Sequence, residues 1–346
     1  MQGGGRPIVY RWDLDKTYLS TDFDSLRGLF RTAFEPASDK RTLPGAQVLL
    51  RELSDTKPAG IHILSGSPEQ MRKVLEEKLR LDGIAWDGFV LKPSLNRLLR
   101  GQLRFLRDQV SYKLGALLRS RVNSKVDADE VMFGDDAEAD AYVYSMYSDL
   151  CAGRMQPSDL AQVLAAARAY EEDAAELVQL ASQLTHGEVG RRIFIHLERV
   201  QPSAVFDVFG PRVCAFHNYF QPALVLVEEG LLSAEAALRV GVELITTYSF
   251  SPDALGVSFQ DLAHKNLLSL RTGDALRAAV ASVVAQAKGK QAALSDLDRT
   301  IALTALAPRA VSTEQVNAID YLALLPEDRA RALRAKHRAR SRRGRQ

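Results

Sequence analysis

Short apolar runs alternate with helical periodicities over the first half of the chain. Residues 8–12, 60–64, 88–91 and 130–133 are largely apolar, and each gives way to polar, Gly or Pro residues. That is the pattern of buried strands. Between them, residues 45–53, 68–79, 93–106 and 110–121 carry apolar positions at helical spacing. Strands alternating with helices predict an α/β fold: a parallel sheet with helices covering both faces. In such sheets ligands bind at the C-terminal strand ends. Asp13, Ser65 and Asp135 fall there.

After about Arg154 the pattern changes. Ser158 reads as an N-cap. Leu160, Val163, Leu164, Ala167, Tyr170, Ala174, Leu177, Val178, Ala181 and Leu184 follow at helical spacing. Further helical patterns cover residues 233–248, 252–270, 273–287, 291–306 and 312–325. No alternating strand and no fixed-period repeat stands out. The expectation is an α/β domain over residues 1–154, a C-terminal all-α domain over 155–326 and a basic tail over 327–346.

Composition adds bounds. The 346 residues are 46% hydrophobic and 25% charged, ordinary values for a soluble chain of two domains. Cys151 and Cys214 give no disulfide framework, and the six histidines give no zinc-like spacing. No apolar stretch approaches the roughly 18–20 residues of a membrane span. Residues 1–7 have no apolar signal core and read as a flexible leader. A cytoplasmic protein is the expectation.

The net charge of +2 hides an asymmetry. Nine Lys and Arg residues and no acid lie between Arg329 and Gln346, which leaves the rest of the chain at −7. Such a tail is either solvated or drawn to an anionic membrane surface, which would make the protein peripheral to that membrane. Nucleic acid is the less favoured partner, because no aromatic residues interleave with the charges.

Candidate chemistry begins at Asp13-Leu14-Asp15-Lys16-Thr17. Two carboxylates held close repel unless a cation or a proton intervenes. A hard divalent cation such as Mg²⁺ accepts oxygen ligands. The pair suits phosphoryl transfer, one carboxylate attacking phosphorus and the other passing a proton to the leaving group. Ser65-Gly66-Ser67-Pro68 follows the second strand. With Pro68 opening a helix, the Ser65 hydroxyl and the Gly66 N–H would bind a phosphoryl oxygen at the helix N-terminus; alone, the same residues read as an ordinary cap. Lys113 lies in an amphipathic helix and would neutralise phosphoryl charge if it projects into the site. Gly134-Asp135-Asp136-Ala137-Glu138-Ala139-Asp140 ends the fourth strand. Asp135 is placed to ligate a metal, and Asp136 and Asp140 to bind its waters or to hold Lys113.

Taken together, these features in this order resemble the haloacid-dehalogenase-like (HAD-like) phosphohydrolases over about residues 7–154. The resemblance implies a Rossmann-like core. Asp13 would be the nucleophile that forms an aspartyl-phosphate. Asp15 would protonate the leaving oxygen and then activate water. Thr17 and Ser65 would hydrogen-bond the motif backbone and the phosphoryl group. Mg²⁺ would be held by Asp13, the main-chain carbonyl of Asp15, and Asp135. Within the superfamily, the chain is most similar to the catalytic domain of the actin-patch-associated phosphatidate phosphatases. The shared features are Asp13 to Thr17, the turn Ser65 to Pro68, and Gly134-Asp135-Asp136 through Asp140 with Tyr142 and Tyr144 beyond. Three positions depart from that family: Lys16 stands in place of an acid, Gly66 in place of Asn and Tyr112 in place of His. Phosphatidate or a related lipid phosphate is the substrate this implies. The alternatives are a soluble phosphoester, a macromolecular phosphate, or an inert platform carrying a helical interaction module.

About 47 residues separate the first two motifs and about 20 separate the third strand from Lys113. Neither gap holds a large cap. The site is expected to be open, or covered by the helical half acting as a lid.

Overall fold

The computed structural model describes residues 5–20, 36–92, 110–198, 202–286, 291–307 and 318–325. The helix expected at 93–106 and the basic tail lie outside these residues. The membrane and nucleic-acid expectations attached to the tail therefore lie outside them too.

Six strands form one sheet in the order β3-β2-β1-β4-β5-β6. They are β1 (Ile8–Asp13), β2 (Gly60–Pro68), β3 (Gly88–Lys92), β4 (Asp129–Asp135), β5 (Gly190–His196) and β6 (Val213–Phe216). β1 pairs in parallel with β2 and β4, β2 with β3, and β4 with β5. β1 and β4 are buried almost throughout, as parallel strands covered on both faces must be. In register across the middle, Trp12 meets Phe133 and Phe133 meets Phe194. Trp12 and Phe133 stack at 3.8 Å between ring centroids, and Phe133 and Phe194 at 4.9 Å.

The helices are α1 (Ala46–Asp55), α2 (Arg72–Leu81), α3 (Gly115–Val122), α4 (Asp140–Ala152), α5 (Pro157–Ala167), α6 (Glu171–Ser182), α7 (Phe220–Glu228), α8 (Ala234–Tyr248), α9 (Pro252–His264), α10 (Leu270–Gln286) and α11 (Gln291–Leu303). α4 is buried from Asp140 to Cys151. A helix buried on every side belongs inside a core, and α4 packs on β4 and β5.

The chain divides into two compact units, residues 1–41 with 58–215 and 315–346, and residues 42–57 with 216–314. This corrects the expectation that the chain is wholly helical beyond Arg154. β5 and most of β6 belong to the first unit and extend its sheet. Their apolar cores, Ile193-Phe194-Ile195 and Val213-Cys214-Ala215-Phe216, are three and four residues long. Runs that short carry no period to read. The second unit draws in α1 from early in the chain. There Arg239 clamps Glu52 with two hydrogen bonds of 2.6 Å each.

A second cluster secures the first unit from a distance in sequence. Residues 318–325 bring Tyr321, Leu324 and Leu325 into its core. Asp149 accepts two hydrogen bonds from Arg212, at 2.6 and 2.9 Å, one from Arg154 at 2.7 Å, and one from the Tyr321 hydroxyl. Arg212 is 1% exposed. Burial works against the Asp149 charge, but the Arg212, Tyr321 and Arg154 hydrogen bonds outweigh it and hold the carboxyl below its usual range. Asp149→Ala would strand a buried guanidinium. It is expected to cost about 3–5 kcal/mol in a urea unfolding curve at pH 7. The Asp149 contribution is present above an unfolded carboxyl value of about 4. It is lost as pH falls through the depressed folded value, so the difference between wild type and variant should shrink on acidification.

Candidate active site

β1 ends at Asp13, and the chain turns back at once. The Leu14 N–H donates to the Leu64 carbonyl, Tyr18 and Leu19 donate to the Leu14 carbonyl, and Lys16 donates to the Leu19 carbonyl. Lys16 adopts a left-handed conformation, φ 62°, which is uncommon for a residue with a Cβ. The turn swings Asp15 toward β2. There Ser65 Oγ donates to Asp15 Oδ2 at 2.7 Å, and Ser67 Oγ lies 3.1 Å from both Asp15 oxygens. Thr17 is fully buried in the same turn.

Here the structure differs from the sequence reading. β2 does not end at Leu64 but runs to Pro68, with a register shift between Ser65 and Pro68. A 3-10 turn over Glu69–Met71 precedes α2. Gly66 is therefore half-buried strand backbone, and Pro68 ends a strand rather than opening a helix. Ser65 and Ser67 are two apart on an extended chain, so both hydroxyls reach one side. That spacing is the signal for Ser67, hidden when the strand is ended four residues early.

Lys113 arrives on a π-helical turn, Val110–Leu114, and not on the regular α-helix expected from 110. Such widened turns recur at functional sites. The turn aims consecutive residues at two partners. Tyr112 donates to the Ser65 carbonyl at 2.7 Å, and Lys113 enters the acidic cluster. Lys113 is 0% exposed. Its Nζ lies 3.0 Å from Asp13 Oδ1 and 2.6 Å from Glu138 Oε2, and it also pairs with Asp140 Oδ1.

The fourth segment is anchored by glycine. A Cβ on Gly134 would sit 2.5 Å from the Asp140 Cβ, closer than real contacts allow. Gly134 thus lets Asp140 fold back over the strand end, where its Oδ2 accepts the Asp135 N–H at 3.1 Å. Asp135 Oδ1 accepts the Glu138 N–H at 2.9 Å and the Ala137 N–H. Asp136, which sequence offered as a partner of Lys113 or of metal-bound water, accepts the Glu198 N–H at 3.1 Å. At the end of β5, His196 Nδ1 lies 3.2 Å from the Lys16 carbonyl, a donor that steadies the left-handed turn.

Asp13, Asp135 and Asp140 bring one oxygen each within 4.8 Å of one another. Neither Asp15 nor Asp136 is in that group. Asp140 spends its oxygens on Lys113 and the Asp135 N–H. Asp13 Oδ2 and Asp135 Oδ2 are buried with no hydrogen-bond partner among the described residues, and Asp13 Oδ1 has only its ion pair with Lys113. Orphaned carboxylate oxygens on two residues of that group are a donor set that a hard cation such as Mg²⁺ fits.

The electrostatics agree. Burial pushes the Asp13 and Asp135 carboxyls well above their usual range; Lys113 opposes this and neighbouring carboxylates add to it. Burial and then Glu138 raise Asp15 to about 6, against the Ser65 and Ser67 hydrogen bonds. Asp140 is also raised to about 6, mainly by burial. Burial opposes the Lys113 charge, but Asp13, Asp140 and Glu138 together raise its pKa well above the usual value.

No protein-family model, curated protein or solved structure matches the chain. The site's own side chains carry the chemistry. Of the residues singled out by sequence, Asp13, Asp15, Ser65, Lys113, Asp135 and Asp140 form one buried network at the ends of β1, β2 and β4, with Thr17 in its turn. Ser67, Glu138 and His196 belong to that network and were not singled out.

Among the described residues no helix is long and apolar enough to cross a membrane.

Proposed function

We propose that the chain is a Mg²⁺-dependent phosphomonoester hydrolase of HAD-like type, working through an aspartyl-phosphate on Asp13. The observation that carries this is the pair of orphaned oxygens, Asp13 Oδ2 and Asp135 Oδ2, beside a lysine and a second, hydroxyl-held carboxylate.

In this reading the Asp13 carboxylate attacks phosphorus and the ester oxygen departs. Asp15 delivers a proton to that oxygen, then takes one from the water that attacks the aspartyl-phosphate. A carboxyl raised to about 6 exchanges protons near neutrality, as both half-reactions need. Ser65 and Ser67 fix its two oxygens. Lys113 offsets the charge gathered by Asp13 and the phosphoryl oxygens. Asp13 and Asp135 would hold Mg²⁺, with the main-chain carbonyl of Asp15 as the third ligand the resemblance implies. Mg²⁺ bound there supplies charge neutralisation for the phosphoryl oxygens.

Ser67→Ala should loosen Asp15 while leaving Asp13 and the metal ligands in place. The expected result is a roughly tenfold loss of kcat with little change in KM, a modest share of what a general acid supplies. An unchanged kcat would remove Ser67 from the machinery.

Phosphatidate or a related lipid phosphate is the leading substrate class. It rests on the motif resemblance and on the short gaps that leave no room for a large cap. The test is Mg²⁺-dependent phosphate release from phosphatidate vesicles, sugar phosphates and an aryl phosphate, with Asp13→Asn in parallel. Release from vesicles alone supports the lipid reading. Release from soluble esters alone keeps the hydrolase and rejects the lipid. No release from any member, with Mg²⁺ bound, favours the inert platform.

A further inference from the structure

An ammonium group has three N–H donors. Three carboxylates crowd the one on Lys113: Asp140 accepts a hydrogen bond from it, while Asp13 at 3.0 Å and Glu138 at 2.6 Å make ion pairs without one. The proposed hydrolase needs Lys113 to meet a phosphoryl oxygen, and three carboxylates already crowd its ammonium. One carboxylate must let go. Asp13 is the nucleophile and stays. Asp140 is fully buried and is tied at its other oxygen to the Asp135 N–H. Glu138 differs from both. Its side chain is 14% exposed, it sits on the turn between β4 and α4, and its carboxylate has no other ion pair among the described residues. It alone reaches solvent.

We propose that Glu138 holds the place of the incoming phosphoryl group on Lys113 and is displaced by it. This rests on the phosphatase reading of the site. Glu138 then does two things. It occupies the phosphoryl position on the ammonium between turnovers, and it sets a threshold that a ligand must exceed in charge. A phosphate dianion competes for Lys113 better than a carboxylate monoanion does, so the placeholder selects phosphomonoesters over carboxylic acids and phosphodiesters. The backbone of residue 138 stays pinned by its N–H to Asp135 Oδ1, so displacement is a side-chain rotation.

The experiment uses the full chain with saturating Mg²⁺, and compares wild type with Glu138→Gln and Glu138→Ala. Inorganic phosphate is the probe, titrated by calorimetry, and KM for an aryl phosphate is measured alongside. Removing the competing charge should tighten phosphate and lower KM, each by about tenfold, the worth of one charge-assisted contact. Dimethyl phosphate, a monoanion that wild type should exclude, should bind the variants. Unchanged or weaker phosphate binding overturns the proposal. A loss of Mg²⁺ affinity in Glu138→Gln also overturns it, by making Glu138 a metal ligand. No phosphate binding by any of the three overturns it as well. Failure of the parent reading looks different: Asp13→Asn would then turn over esters like wild type, whatever the Glu138 variants do with phosphate.

Discussion

Asp13→Asn is expected to abolish turnover, by about 10⁴-fold or more, while the folded protein becomes more stable. The loss follows from removing a nucleophile on which the rest of the site depends. The gain follows from burial. Asp13 is fully buried, and desolvation raises its pKa well above the ordinary value despite Lys113. An acid whose folded pKa is raised binds more protons folded than unfolded between the two values. Stability is therefore lost as pH rises through that window. At neutral pH the wild-type carboxylate works against folding, and a neutral amide of the same shape removes that cost. In metal-free buffer the variant should melt above wild type. Mg²⁺ should then raise the wild-type Tm by mass action and raise that of the variant much less, because one of the two orphaned oxygens is gone. Full turnover in the variant would end the aspartyl-phosphate reading. A drop in Tm of several degrees would make Asp13 a structural residue.

That opposition of function and stability marks which parts of the molecule were legible in the sequence. The four strands from β1 to β4 were readable because each is a short apolar run broken by polar, Gly or Pro residues, such as Asp13 after Trp12 and Gly134-Asp135 after Phe133. The carboxylates were readable because nothing in a stable core accounts for Asp13, Asp15 and Asp135 at successive strand ends. What sequence could not supply is contact between segments far apart. The apolar core of β5 is flanked by Arg191, Arg192 and His196, and the strand looks polar until Arg192 is seen donating to the Pro211 carbonyl and His196 to that of Lys16. Tyr321 reads as one more helix residue until it meets Asp149, 172 positions earlier. Glu138 stood in the acidic turn, in plain view. Its role depends on the other two carboxylates on Lys113, and no spacing rule reports that. The boundary at Arg154 was misplaced for a related reason. α5 and α6 are a helical excursion between two neighbouring strands, and along the chain such an excursion looks like the start of a new domain.

Lys113→Met is expected to cost both activity and the fold, and the pH dependence of the damage identifies its cause. Met fills much of the lysine stem and removes only the charge. The ammonium neutralises Asp13, Glu138 and Asp140 at once, and two of those carboxylates are fully buried. Breaking a buried charge cluster by deleting one partner costs about 3–5 kcal/mol. Protonation is the remaining way to relieve it. Asp140 is already raised to about 6 with Lys113 opposing the shift, so without the lysine it moves further up, and Asp13 moves with it. Both folded values then lie above the unfolded carboxyl value of about 4. The variant should lose stability steadily as pH rises from about 4 through the folded values, the reverse of ordinary acid denaturation. Thermal melts of wild type and variant in chelator should nearly coincide near pH 5 and diverge toward pH 8. Mg²⁺ at pH 8 should restore part of the difference, since a divalent cation replaces some of the missing charge. Turnover should remain lost, because the phosphoryl oxygen has no ammonium to meet. Parallel melts across the whole range would mean that Lys113 contributes packing alone, and the site would lose its only buried cation among the described residues that pair with Asp13.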